Sequence, residues 1–246
     1  KLLQFPLPMI KSTTDYGLVV VASGTNGWKP FLLLITVLSG IMFPTASLFS
    51  AENACNFFSE GFSTPSEENW TSQYGRWYIQ NGKLNVDQVE AGIMAHNRTE
   101  FFVDDFFDLD VDVELVLAPH SNAAFGILPY NSGDVFFKVD GRALSGIGAI
   151  VYPNLGIARL LGWDVDAQDW YQSDEIPLPT SLTSIGVSYS EDAVTLQMNG
   201  QDSPLRFTGD FSYAPLVLDT LWLLAQELDT HVRFDNVCAG PPGGAT

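Results

Sequence analysis

The sequence predicts an all-β fold, an antiparallel two-sheet β-sandwich of the jelly-roll kind. Three observations carry that prediction. The stretch "DLDVDVELVL", Asp108 to Leu117, alternates acid and aliphatic residues. In a strand this puts four carboxylates on one face and Leu109, Val111, Val113 and Leu115 on the other. Short β-rich runs recur at close spacing, with turn residues between them. From Arg76 on, no window reads convincingly as a long amphipathic helix.

The elements follow in order. "RWYIQNGKLNV" reads as two strands around Asn81-Gly82, the dipeptide a two-residue hairpin turn prefers. "VEAGIMAH" and the long "FFDLDVDVELVL" come next. "NAAFGILPY" and "DVFFKVD" flank Asn131-Ser132-Gly133. "SGIGAIVYP" and "LGIARLLGW" flank Asn154, and "TSIGVSYS" and "AVTLQMNG" flank Glu191-Asp192. "LVLDTLWLLAQ" could be drawn as a helix, but its aromatic and β-branched content, with Pro215 just before it, favours a strand. "HVRFDNVCAG" closes the domain.

Residues 52–240 are thus expected to form the sandwich, and 241–246 ("PPGGAT") a flexible tail. Residues 1–51 read as a leader. Phe31 to Ser50 contains no charged residue and follows Lys29-Pro30, which fits a secretory signal core or a membrane anchor. The expected location is extracellular, or the cell surface if the leader is retained.

The chain of 246 residues carries a formal charge of −18. The leader holds three lysines and one acid, Asp15, so the remainder is more negative still. Such a surface repels phosphate backbones and anionic lipids. Nucleic acid is excluded as a partner, and a membrane is expected only through the leader. Two cysteines, Cys55 and Cys238, stand near the ends of the domain. In an exported chain an even pair reads as a disulfide.

Two stretches could carry chemistry. The first is the acid row itself, where a catalytic strand, a cation site and a solvated outer face all fit the pattern. The second is "GWDVDAQDWYQSDEIP", Gly162 to Pro177, read as a long loop. It crowds Trp163, Trp170 and Tyr171 among acids. Aromatic rings stack on sugar C–H faces, and carboxylates accept hydroxyl hydrogens, so a carbohydrate site fits. The histidines, His96, His120 and His231, are scattered and show no zinc-binding spacing. Asn69-Trp70-Thr71 and Asn97-Arg98-Thr99 are glycosylation sequons.

Several pieces together resemble the concanavalin A-like lectin/glucanase superfamily, in particular its LamG-like and 3-keto-glycoside hydrolase-like jelly rolls. These are "FFSEGFS", "RWYIQNGKLNV", "DLDVDVELVLAPHSNAAFGI", "TSIGVSYSEDAVTLQMNGQ" and "VRFDNV", in that order from about Phe57 to Val237. The resemblance implies neighbouring terminal strands, which would bring Cys55 and Cys238 together. It implies a possible Ca²⁺ site near those strands, with Glu60 and Asp235 at the acidic positions. It adds Asn122 and Tyr130 to the residues expected to contact carbohydrate.

Laminarinase-type members carry Glu-x-Asp-x-Glu on one strand. Transferred here, Asp110 would be the nucleophile, Asp112 its modulator and Glu114 the acid/base. Retaining glycosidases hold their two carboxyl groups ~5–5.5 Å apart, whereas positions i and i+4 of a strand lie ~13 Å apart along the backbone. Asp110 is also one methylene shorter than the glutamate it replaces. The expected function is an exported, lectin-like carbohydrate-binding module without catalysis. The alternatives are a glycoside hydrolase and a structural or adhesive protein that self-assembles.

Overall fold

The computed structural model describes residues 55–63, 69–103, 105–133, 137–139, 141–208 and 218–243. The expected leader lies outside them, as do the last three residues of the tail.

Among the described residues there are 17 strands. In chain order they are β1 (Phe58–Glu60), β2 (Thr71–Gln73), β3 (Arg76–Gln80), β4 (Lys83–Asp87), β5 (Met94–Val103) and β6 (Phe107–Leu117). Then come β7 (Ala124–Tyr130), β8 (Phe137–Val139), β9 (Arg142–Tyr152), β10 (Ile157–Asp164), β11 (Asp169–Gln172) and β12 (Ile176–Pro177). The last are β13 (Ser184–Tyr189), β14 (Ala193–Met198), β15 (Gln201–Thr208), β16 (Leu218–Gln226) and β17 (His231–Gly240).

They form two antiparallel sheets. The first runs β15-β14-β13-β6-β17-β4-β3, with β1 on β17. The second runs β11-β10-β9-β7-β16-β5-β2, with β12 on β10 and β8 on β9. One buried apolar cluster joins them. The alternation on β6 behaves as its sequence requires: Phe107, Leu109, Val111 and Val113 enter the core, and the four acids take the opposite face. Asn81 and Gly82 turn the β3–β4 hairpin with φ of 55° and 72°. Two positive φ values are what a type I′ turn demands. The ambiguous apolar stretch is strand β16, paired with both β5 and β7.

β7 carries a proline in the interior of its sheet. Its ladder with β9 pairs Ile127 with Ala149 and Tyr130 with Gly146. That register would set Pro129 opposite Ile147, and the ladder is interrupted there. Proline has no N–H to donate. Tyr189 of β13 reaches across from the first sheet to fill the gap. Its hydroxyl donates to the Ile147 carbonyl at 2.5 Å and accepts the Ile147 N–H at 2.9 Å. Burial pushes the Tyr189 phenol well above its ordinary pKa, so the hydroxyl keeps the proton it donates.

The first and last described strands meet as expected. β1 pairs with β17 and sets Ser59 opposite Cys238. Cys55 and Cys238 are disulfide-bonded, 183 residues apart. Beyond β17, the Gly243 N–H donates to Asp108 Oδ2 at 2.6 Å.

One expectation is corrected. Gly162 to Pro177 is not a long loop. It holds the end of β10, all of β11 and β12, and the short turn between β10 and β11. That turn is built by Asp164, whose Oδ1 accepts the N–H groups of Asp166 and Ala167 while Oδ2 accepts Arg142. Its carboxylate is therefore committed to the turn, a common aspartate use.

Two stability outcomes follow. Tyr189→Phe should lower the unfolding free energy by about 2 kcal/mol in urea melts, because it strands a buried N–H and C=O. Cys238→Ser should cost more, about 5 kcal/mol in the chain-entropy description of so long a loop. Equal midpoints for wild type and Cys238→Ser under non-reducing conditions would contradict the tether.

Candidate functional site

The second sheet has a second apolar face. Ala124, Leu128, Ile150, Leu161 and Leu224 form a cluster separate from the core, with Met94, Tyr130, Tyr152, Trp170 and Trp222 against it. Alternation explains it: on β16, Leu221, Leu223 and Ala225 enter the core, so Trp222 and Leu224 point outward.

Aromatic rings gather on this outer face in two groups. In the first, His96 of β5 stacks on Trp222 at 4.6 Å and 10°, and Tyr130 of β7 lies 5.3 Å from the same indole. In the second, Trp163 and Trp170 face one another across the β10–β11 pair at 5.1 Å. Between the groups runs β9, which presents Gly146 and Gly148 there. Neither position admits a side chain. A Cβ at Gly146 would strike the Pro129 carbonyl oxygen, and one at Gly148 the Ile127 carbonyl oxygen. The strip between Tyr130 and Trp163 therefore carries no side chain at these two positions, and both glycines are buried. β16 and β10 are three strand spacings apart, about 14 Å.

Polar groups border the rings. Gln172 donates to the Tyr152 hydroxyl at 2.9 Å, and Arg159 binds Glu175 at 2.6 Å. The Trp222 indole N–H is buried without a partner, as is Nε of Arg159. Burial holds the His96 imidazole below its ordinary pKa against a backbone hydrogen bond at Met94, and Arg98 depresses it further.

The structure places the expected carbohydrate contacts unevenly. Tyr130, Trp163 and Trp170 share the outer face. Tyr171 does not: it points inward, stacked on Phe207 at 5.3 Å with Arg142 over its ring at 4.6 Å. The strand period forces this, since Trp170 and Tyr171 are consecutive. Asn122 is also displaced. It stands in the exposed turn before β7, at the far end of that strand from Tyr130. Trp222 and His96 were not anticipated. The outward period of Trp222 and Leu224 was the available signal, but an apolar inward face masks it.

The acid row occupies the other outer face of the sandwich, on β6 in the first sheet. Glu114 accepts Arg233 at 2.9 Å and Lys83 at 3.1 Å. The Lys83 hydrogen bond is the larger cause that holds its carboxyl below the usual range, with Arg233 adding to it. Asp112 accepts the Asn236 amide at 2.7 Å. Asp110 lies opposite Gly186 and Cys238, with Oδ1 buried and unpartnered. Burial pushes it up to about 6, the charges of Asp112 and Asp108 add to the rise, and a hydrogen bond with Ser184 opposes it. Glu60 and Asp235 do not form one cation site. Glu60 pairs with Val237 on the core side of the sheet and accepts the Phe62 N–H at 2.8 Å, whereas Asp235 pairs with Asp112 on the outer side. That geometry does not fit a shared Ca²⁺.

No family model matches the chain, and no curated protein matches it. Solved structures do. A prokaryotic β-1,3-1,4-glucanase (lichenase) derived from a mouse hindgut metagenome superposes with a TM-score of 0.55 at 12% identity, covering 75% of this chain and 98% of that one. The catalytic domain of an endo-1,3-β-glucanase (laminarinase) from Thermotoga petrophila gives 0.51 at 11%, covering 74% and 95%. The carbohydrate binding module CBM66 from Bacillus subtilis gives 0.50 at 11%, covering 70% and 95%. The fold is an antiparallel two-sheet jelly roll, shared with these solved structures. At these identities the likeness concerns the fold, and what the jelly roll does must be read from its own two faces.

The buried carboxyl of Asp110 gives this jelly roll a defined acid response. Its folded pKa stands above the unfolded value of ~3.9. The folded state therefore takes up a proton near pH 6 that the unfolded chain does not, and this group's contribution to stability rises as pH falls from 7 to 5, whereas His96 and His231, held below their ordinary values, contribute in the opposite direction. Asp110→Asn should be more stable than wild type at pH 7, by on the order of 2 kcal/mol, and should lack this rise. Thermal melts at pH 5, 6 and 7 check both; parallel curves for the two proteins would refute the assignment.

Proposed function

We propose that this domain binds carbohydrate without cleaving it, seating a glycan across the outer face of its second sheet. One observation carries the reading: two aromatic groups, His96–Trp222–Tyr130 and Trp163–Trp170, flank a strip that Gly146 and Gly148 keep free of side chains. Sugar rings stack on such aromatics, and nearby polar groups fix their orientation. Solved structures of the same fold include a carbohydrate binding module and glucanases, which supports a glycan as ligand.

The hydrolase reading has less support. A general acid must hold its proton at working pH, and Glu114 is kept ionised by Lys83 and Arg233. The carboxylates also stand on the face opposite the aromatics. The Cys55–Cys238 bridge supports an exported, extracellular protein, because such bonds persist in oxidising compartments.

Affinity electrophoresis through gels containing a panel of neutral polysaccharides tests this. One polymer should retard the wild-type protein. Trp222→Ala and Trp163→Ala should each weaken that binding about tenfold, the worth of one stacked ring. Glu114→Gln should bind as wild type does. Retardation unaffected by both tryptophan changes would sink the proposed face. Release of reducing sugar by wild type but not by Glu114→Gln would favour the hydrolase.

A further inference from the structure

The two sequons differ in what the fold leaves open. Asn97 sits on β5 between β16 and β2, opposite Leu223 and Ser72. It is 3% exposed and turned to the core side of the sheet, and its Oδ1 is buried without a partner. Asn69 is exposed, just before β2. Trp70 between Asn69 and Thr71 turns inward and packs on Phe62 at 5.6 Å. Asn69 and Thr71 therefore stand together on the solvent side, both lining a polar cavity of about 660 Å3. Among the described residues no hydrogen bond holds the Asn69 carboxamide.

We propose that Asn69 is an N-glycosylation site of this protein and that Asn97 is not. The donor is an oligosaccharide carried on a lipid diphosphate. Nδ2 of Asn69 forms a bond to the anomeric carbon as that carbon's bond to the diphosphate oxygen breaks. The amide gives up one proton, and the lipid diphosphate leaves with the bonding electron pair. The cavity beside Asn69 suits the first attached sugars, because Glu60, Arg98, Glu100 and Thr220 line it with acceptors and donors for their hydroxyl groups. A glycan on Asn97 would instead have to lie between the sheets, where the core is closed. Any chain modified there before folding could not complete β5.

The test uses the folded full-length protein with a purified oligosaccharyltransferase and a lipid-linked oligosaccharide, read by intact mass and glycopeptide sequencing. The expected product carries one glycan, at Asn69. Asn69→Gln and Thr71→Ala should each abolish it, and Thr99→Ala should leave it unchanged. The urea-unfolded, reduced chain should also accept a glycan at Asn97, showing that the fold and not the sequence protects that residue. No transfer to the folded protein, a glycan at Asn97 of the folded protein, or no transfer even to the unfolded chain would each overturn the proposal.

Discussion

One buried hydroxyl joins the two sheets at the point where the second sheet cannot complete itself. Pro129 interrupts the β7–β9 ladder, and Ile147 would be left with an unpaired N–H and C=O in the core. Tyr189 supplies both partners from the facing sheet. An unsatisfied pair at that depth would cost more than most single contacts contribute. Ile147 lies between Gly146 and Gly148, so the bond that spans the sandwich also anchors the glycine strip between the two aromatic groups. Inner packing and the proposed binding face meet in three consecutive residues. The Tyr189 ring stacks on Phe107, the first core residue of β6, at 4.7 Å. The hydroxyl thus takes its position from the most regular strand in the molecule.

The sandwich separates its two chemistries by strand alternation. β6 is amphipathic, with core on one side and carboxylates on the other. Its acids occur with Lys83, Arg233 and Asn236 from β4 and β17, and that polar face is largely satisfied by its own neighbours. β7, β9, β10 and β16 are apolar on both sides, so the outer face of the second sheet stays apolar at its centre. That centre is not left in water: Ala124, Leu128, Ile150, Leu161 and Leu224 are buried, with Tyr130, Tyr152, Trp170 and Trp222 packed against them. The aromatic face and the acid row therefore do not compete for one ligand.

The same contrast decides what could be read from the chain. β6 was legible because each residue states its side. The β3–β4 hairpin was legible because Asn81 and Gly82 both tolerate positive φ. Cys55 and Cys238 were legible as an even pair in a chain read as exported, and the resemblance implied that the strands carrying them are neighbours. The aromatic face was not legible as a unit. A strand buried on both sides has no polar period to mark which residues point outward, so nothing local sets Trp222 apart from Leu221 and Leu223. Register hid the rest. Nothing local to "GWDVDAQDW" says that Asp164 closes a turn, and only the β10–β11 pairing sets Trp163 against Trp170. That pairing then sends Tyr171 to the core. Asn122 and Tyr130 belong to one sequence run but stand at opposite ends of a strand roughly 20 Å long.

Charge narrows what the proposed face can hold. A chain of net charge −18 repels uronate-rich or sulfated polymers at long range, and the repulsion is screened only beyond about 10 Å in moderate salt. The aromatic face offers little to offset this. Arg159 is committed to Glu175 and burial favours a neutral His96, which leaves Arg98, opposite Trp222, as the exposed cation beside these rings among the described residues. Stacking and hydrogen bonding to hydroxyl groups require no charge on the ligand and are barely affected by salt. A neutral glycan is the ligand class that these surroundings admit, and its affinity would rest on ring contact rather than on electrostatic attraction.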